Sequence, residues 1–158
     1  MIRIFTLALS AFAILFSVGV HAAEKFPFEN EINARKSFMQ VNKFNLMLLG
    51  SMVKGVRDYD ADLAKATAAN MHLAAQMNNA GMWPKGSDNS SSELKEHTDA
   101  LIDAWRDYET LAQKQKAWLD ATDSLAENAG NGIDALKKSL GAVGKSCKGC
   151  HDDFKQQK

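Results

Sequence analysis

Apolar positions along this chain recur in steps of three and four within four separate stretches, the spacing of one face of an α-helix. The first stretch spans residues 30 to about 54. Asn30 suits its N-cap, Glu31 its first turn, and Gly55 its end. Ile32, Arg35, Met39, Asn42, Leu46, Leu49 and Val53 share one stripe there. Asp60 caps a second helix, with Leu63, Ala66, Asn70, Leu73 and Met77 on the face predicted to pack inward, as far as Gly81. After a loop over residues 81 to 90, Ser90 and Glu93 form a capping-box pattern. It predicts a third helix reaching residue 128, with Leu94, Leu101, Trp105, Tyr108, Leu111, Trp118 and Leu125 on a drifting stripe. Gly130-Asn131-Gly132 breaks that helix, and a last one follows over residues 133 to 155. Four helices with short connections predict an all-α fold, an antiparallel up-down-up-down four-helix bundle.

Composition adds an address and removes some partners. Arg3 precedes an almost wholly apolar run over residues 4 to 20, and Val20-His21-Ala22 supplies a small-residue cleavage pattern. Residues 1–22 therefore read as a cleaved signal peptide and 23–158 as one domain, with a transmembrane anchor as the other reading of a run at the short end for a span. Nineteen basic and nineteen acidic residues cancel. No field argues for nucleic acid, and none for stable membrane attachment after cleavage. Nor does the balance offer a steering signal toward a protein partner.

The chemistry concentrates near the C-terminus, in Cys147-Lys148-Gly149-Cys150-His151. Two cysteines separated by two residues and followed by histidine form the attachment pattern of a c-type haem. Each thiol adds to a vinyl group, and the adjacent imidazole reaches the iron. Zinc would need further ligands; the chain has no other cysteine, and its only spare histidines outside the leader are His72 and His97. Ile133, Leu136, Leu140, Val143, Cys147, Cys150 and Phe154 step by three and four, so the attachment cysteines continue the buried stripe of their helix. Only seven residues follow His151, so any second axial ligand lies upstream on another helix. Met39 offers a thioether on the first helix, though methionine also fills ordinary core gaps.

With these residues the mature chain resembles class II c-type cytochromes, the cytochrome c′ family. The resemblance rests on the C-terminal haem motif, the acidic tail ending in Phe154-Lys155, and Arg35-Lys36-Ser37-Phe38-Met39 in the first helix. It implies one covalently attached haem c on Cys147 and Cys150, with His151 as proximal iron ligand. It further implies Arg35 beside the haem propionates, Lys36 at the haem edge, and Met39 over the distal face. Methionine there resembles the six-coordinate, low-spin branch, whereas a non-ligating residue leaves a five-coordinate iron that admits nitric oxide or carbon monoxide. Pro84-Lys85-Gly86-Ser87-Asp88 is similar to a family loop at the haem edge, which makes Ser87 and Asp88 contact candidates. Lys155 stands where the family often has arginine, and Phe154 where tyrosine is common.

The expected function is that of a periplasmic mono-haem electron carrier ligated by His151 and Met39, exchanging electrons with redox partner proteins. The alternative is a five-coordinate cytochrome c′ that binds nitric oxide or carbon monoxide. No catalytic constellation accompanies the motif, so no enzyme is expected. Family resemblance implies a homodimer through the first two helices.

Overall fold

The computed structural model describes residues 25–157. The signal-peptide assignment for 1–22 lies outside them. The elements are α1 (Glu29–Val53), α2 (Ala61–Gln76), a 3-10 turn (Ala80–Met82), a short α3 (Asp103–Arg106), α4 (Tyr108–Asn128) and α5 (Ile133–Phe154). No described helix is long and apolar enough to cross a membrane.

Local chemistry sets most of these ends. α1 begins one residue before the expected cap, after Phe28 at φ 59 with no side-chain cap bond; Glu29 and Glu31 in its first turn suit the helix dipole. Asp60 caps α2 as expected, accepting the Leu63 N–H at 3.0 Å. Asp107 does the same for α4 through the Thr110 N–H at 3.1 Å. Gly132, at φ +105, turns the chain into α5 in a conformation that a Cβ would strain.

The long helices pack in ring order, α1 on α2, α2 on α4, α4 on α5 and α5 back on α1, so the four-helix bundle expected from the stripes is what forms. Its core joins Leu49 and Met52 of α1, Met71 of α2, Leu125 of α4, and Leu136 and Val143 of α5. Packing is dense between α2 and α4 and between α4 and α5, and thinner between α1 and both of its neighbours, α2 and α5.

Two expectations are corrected. The third helix does not run from Ser90: residues 88 to 102 form turns without a long helix, and the helix proper starts at Tyr108. The Ser90–Glu93 box is not made. Instead Ser90 donates its N–H to Asp88 Oδ1 at 2.9 Å, and the Ser91 hydroxyl accepts the Leu94 N–H. Contacts from distant segments, described below, hold this stretch and override its local capping signal. The second correction concerns α2, which ends at Gln76 and buries Ala64, Thr67, Ala68 and Met71. Leu73 is 63% exposed, and Ala66 and Asn70 are exposed as well. Both stripes have helical period. The small-residue one wins because it lets α1 and α4 approach closely.

Tyr59 joins the α1–α2 and α4–α5 connections at the end of the bundle opposite the haem motif. Its hydroxyl donates to the Ala129 carbonyl at 2.9 Å and accepts the Gly132 N–H at 2.9 Å. Tyr59→Phe strands both backbone groups, and urea denaturation is expected to show a loss of about 1 to 2 kcal/mol.

Candidate functional site

Arg35 belongs to the buried side of α1 and is only 4% exposed. Its guanidinium donates to the Ser87 hydroxyl at 2.7 Å, the Thr98 hydroxyl at 2.7 Å and the Met82 carbonyl at 3.4 Å, and also to the Ser87 carbonyl. It lies over Trp83 at 4.9 Å and Trp105 at 6.0 Å from the ring centroids, and the Trp105 indole donates to the Trp83 carbonyl at 3.1 Å. Burial lowers the Arg35 pKa and the Asp88 charge opposes that, but an arginine stays protonated in either case. Burial alone would raise Asp88; hydrogen bonds from Ser90 and the charge of Arg106 outweigh it and hold that carboxyl below its ordinary value. Arg35, Ser87 and Asp88, all named from sequence as haem-edge candidates, are thus gathered in one place. Lys36 is exposed on the next position, its Nζ 3.2 Å from the His97 carbonyl. His97 itself stacks on Phe26 with centroids 3.8 Å apart.

Residues 88 to 102 form a strap between this cluster and the end of α5. Ala100 pairs antiparallel with Lys155. The Leu101 N–H reaches the Phe154 carbonyl at 3.0 Å, and the Gln156 N–H reaches the Asp99 carbonyl at 2.8 Å. Asn89 adds a side-chain bond to Gln156 at 2.6 Å. The strap therefore fastens the α1 cluster to the few residues that follow the haem motif.

On α5, Cys147 and Cys150 are both half-buried and unpaired, with Cys147 against the core. Burial raises both thiol pKa values, and the neighbouring Cys147 raises that of Cys150 further. His151 is exposed, yet protein atoms around it strip enough hydration to lower its pKa, helped by Lys155, so the neutral, ligating imidazole is favoured. Across from α5, Met39 is 41% exposed on α1, while Asn42, one turn on, buries an amide Oδ1 that has no partner. Sequence placed Met39 on the stripe, and it is the member of that run left open between Arg35 and Asn42. No group of three or more metal-ligating side chains of the zinc type occurs among the described residues.

This donor set fits a covalent haem. Two adjacent thiols emerge from the inner stripe of one helix, a ligating imidazole follows, and the facing helix packs thinly and exposes a thioether. A sequence reading had no means of finding Trp83, Trp105 and Thr98 around Arg35, or the Lys114–Asp153 ion pair at 2.8 Å that ties α4 to α5 beside Gly149. Each depends on segments brought together only by folding.

Known proteins resemble this chain in sequence and in fold. A family model described as Cytochrome C' matches residues 30–155. The chain is 34% identical over 134 residues to a cytochrome c′ of Halomonas halodenitrificans, covering 82% of this chain and 98% of that one. The structure superimposes on a cytochrome c′ from Rhodobacter sphaeroides with a TM-score of 0.77 at 30% identity, covering 83% of this chain and 98% of the other. A ferrous variant of the Alcaligenes xylosoxidans cytochrome c′ with bound NO matches with a TM-score of 0.70 at 29% identity, over 85% of this chain and 100% of the other.

Proposed function

The chain belongs to the cytochrome c′ family, whose members carry one covalently attached haem c, and from that premise we propose that it binds a diatomic gas, nitric oxide or carbon monoxide, at a haem lodged between α1 and α5. Cys147 and Cys150 would form the two thioether links and His151 would ligate the iron from α5. When bound, the haem supplies the iron to which a gas coordinates. The chain's own residues decide access. The observation that carries the reading is Met39, 41% exposed on a helix that packs thinly against α5, so that its side chain can swing aside without disturbing the core. Beside a haem held there, its flexible thioether would be the side chain that an incoming gas displaces. The bound NO of the Alcaligenes relative supports gas binding by a protein of this fold.

Arg35 offers little to a propionate beyond its Nε, because its terminal nitrogens are spent on Ser87, Thr98 and Met82. Lys36 on α1 and Lys85 on the loop that carries Ser87 are the exposed cations beside it. One observation favours the second reading, a periplasmic electron carrier: methionine is a residue able to ligate, and a retained His151/Met39 pair would keep the iron low-spin in both oxidation states. Neither reading requires turnover, so the protein is not assigned as an enzyme. The outward stripe of α2 (Ala66, Asn70, Leu73) with exposed Val41 and Phe44 on α1 supports a homodimer through these two helices.

Met39→Leu tests the role of the thioether. The ferrous variant is expected to bind carbon monoxide about tenfold faster or more, because the competing side-chain ligand is gone. Stopped-flow mixing reads this, and unchanged association rates would remove Met39 from the iron.

A further inference from the structure

The balanced total charge conceals a segregated one. From residue 32 to 57, covering most of α1 and its C-terminal turn, there are five basic residues and no acidic one. From residue 135 to 151, along α5 to the haem histidine, there are four lysines and no acidic residue. The intervening chain, 58 to 134, holds fourteen acidic residues against six basic ones. α1 and α5 are neighbours in the bundle, so the basic segments lie side by side, while the acids of the intervening chain sit mostly on α4, on the connections between helices and on the strap. Apart from Arg35, which is buried, the basic side chains of both segments are exposed. Among the described residues only Lys148 of this set pairs with a carboxylate, Asp152 at 2.5 Å. Eight exposed cations thus line these two neighbouring segments, while Glu29 and Glu31 precede the first and Asp152 and Asp153 follow the second.

We propose that this α1–α5 face is the docking surface for an acidic redox protein, which passes one electron to the ferric haem and leaves it ferrous. The proposal rests on the reading that the haem lies between α1 and α5. Carbon monoxide binding and electron carrying both need that reduction step, and Lys43 and Lys145 flank the route to it. Lys43 is one turn beyond Met39, and Lys145 is two residues before Cys147. Between the two helices lie exposed Met39 and Met47 and a cleft of about 400 Å³ bounded by Leu46, Gly50 and Leu140. An apolar centre with a charged rim suits a brief, small protein contact steered by charge. Met39, Met47 and Val56 are too little apolar surface to seat the bundle in a lipid interface.

The test uses the purified ferric holoprotein, with reduced flavodoxin as an acidic protein donor and reduced lumiflavin as a small uncharged one. The flavodoxin rate is expected to fall as ionic strength rises from about 20 to about 200 mM. Lys43→Glu with Lys145→Glu should slow it by about tenfold or more at low salt, while Lys65→Glu with Lys116→Glu, on α2 and α4, should change it less than about twofold. Lumiflavin should reduce all three proteins alike, which shows that the haem is in place. Equal slowing by both charge-reversed pairs, or a flavodoxin rate indifferent to salt, overturns the docking surface and leaves the haem site standing. Altered lumiflavin reduction in the Lys43/Lys145 variant overturns the haem position together with the proposal. Wild-type protein that sediments with phosphatidylglycerol vesicles at about 150 mM salt, but not after Lys43→Glu and Lys145→Glu, assigns the face to lipid and overturns the protein partner.

Discussion

Cys147→Ala with Cys150→Ala is expected to yield a mature protein whose intact mass contains no haem and whose denatured form has no Soret absorption. The chain has no other cysteine, so no second thiol can replace either link. Alanine is the best helix former, and both positions are only half-buried on α5, so the substitution leaves the helix itself intact. The loss should therefore be of the cofactor and of packing between α1 and α5, not of the bundle. Each single substitution should keep one thioether and shift the reduced absorption bands, because one vinyl group remains unsaturated. Intact mass spectrometry separates these outcomes. Covalent haem retained by the double variant would contradict the assignment of the motif.

The second large effect belongs to Arg35. In Arg35→Met the side chain keeps similar length and loses every donor, so the Ser87 and Thr98 hydroxyls and two carbonyls face a buried apolar group. Breaking a buried charged network by removing one partner costs roughly 3 to 5 kcal/mol. Denaturation monitored by Trp83 and Trp105 fluorescence should report both the lower stability and the loss of the stacked guanidinium. Arg35→Lys restores the charge without the planar fork, and should recover only part of the stability. A variant as stable as the wild type would mean that the strap holds without this hub.

Sequence reading succeeded where one local pattern met one consistent environment. The stripe on α5 placed Cys147 and Cys150 on the inner side of their helix, and the structure leaves both half-buried there. α1 was readable for the same reason, with polar Arg35 and Asn42 recognised as stripe members before their burial was visible. On α2 the pattern supports two faces. Leu73 and Met77 look like core residues, yet Ala64, Ala68 and Met71 form the closer-packed one. Residues 90 to 102 were misread because the capping signal of Ser90 and Glu93 is local, whereas their long-range partners come from Arg35, Lys36 and the chain after His151. Long-range pairing of that kind leaves no periodic trace. The zero net charge was read as absence of a field, although α1 and α5 each carry a run of basic residues with no acid inside it.

The central claim is that an iron site on α5 is left open, or openable, on the side facing Met39. The most direct measurement is the absorption spectrum of the ferrous wild-type protein before and after carbon monoxide. The account predicts a prompt shift to the spectrum of a carbon monoxide adduct. A low-spin spectrum that the gas leaves unaltered would contradict it, and would return the protein to electron transfer alone.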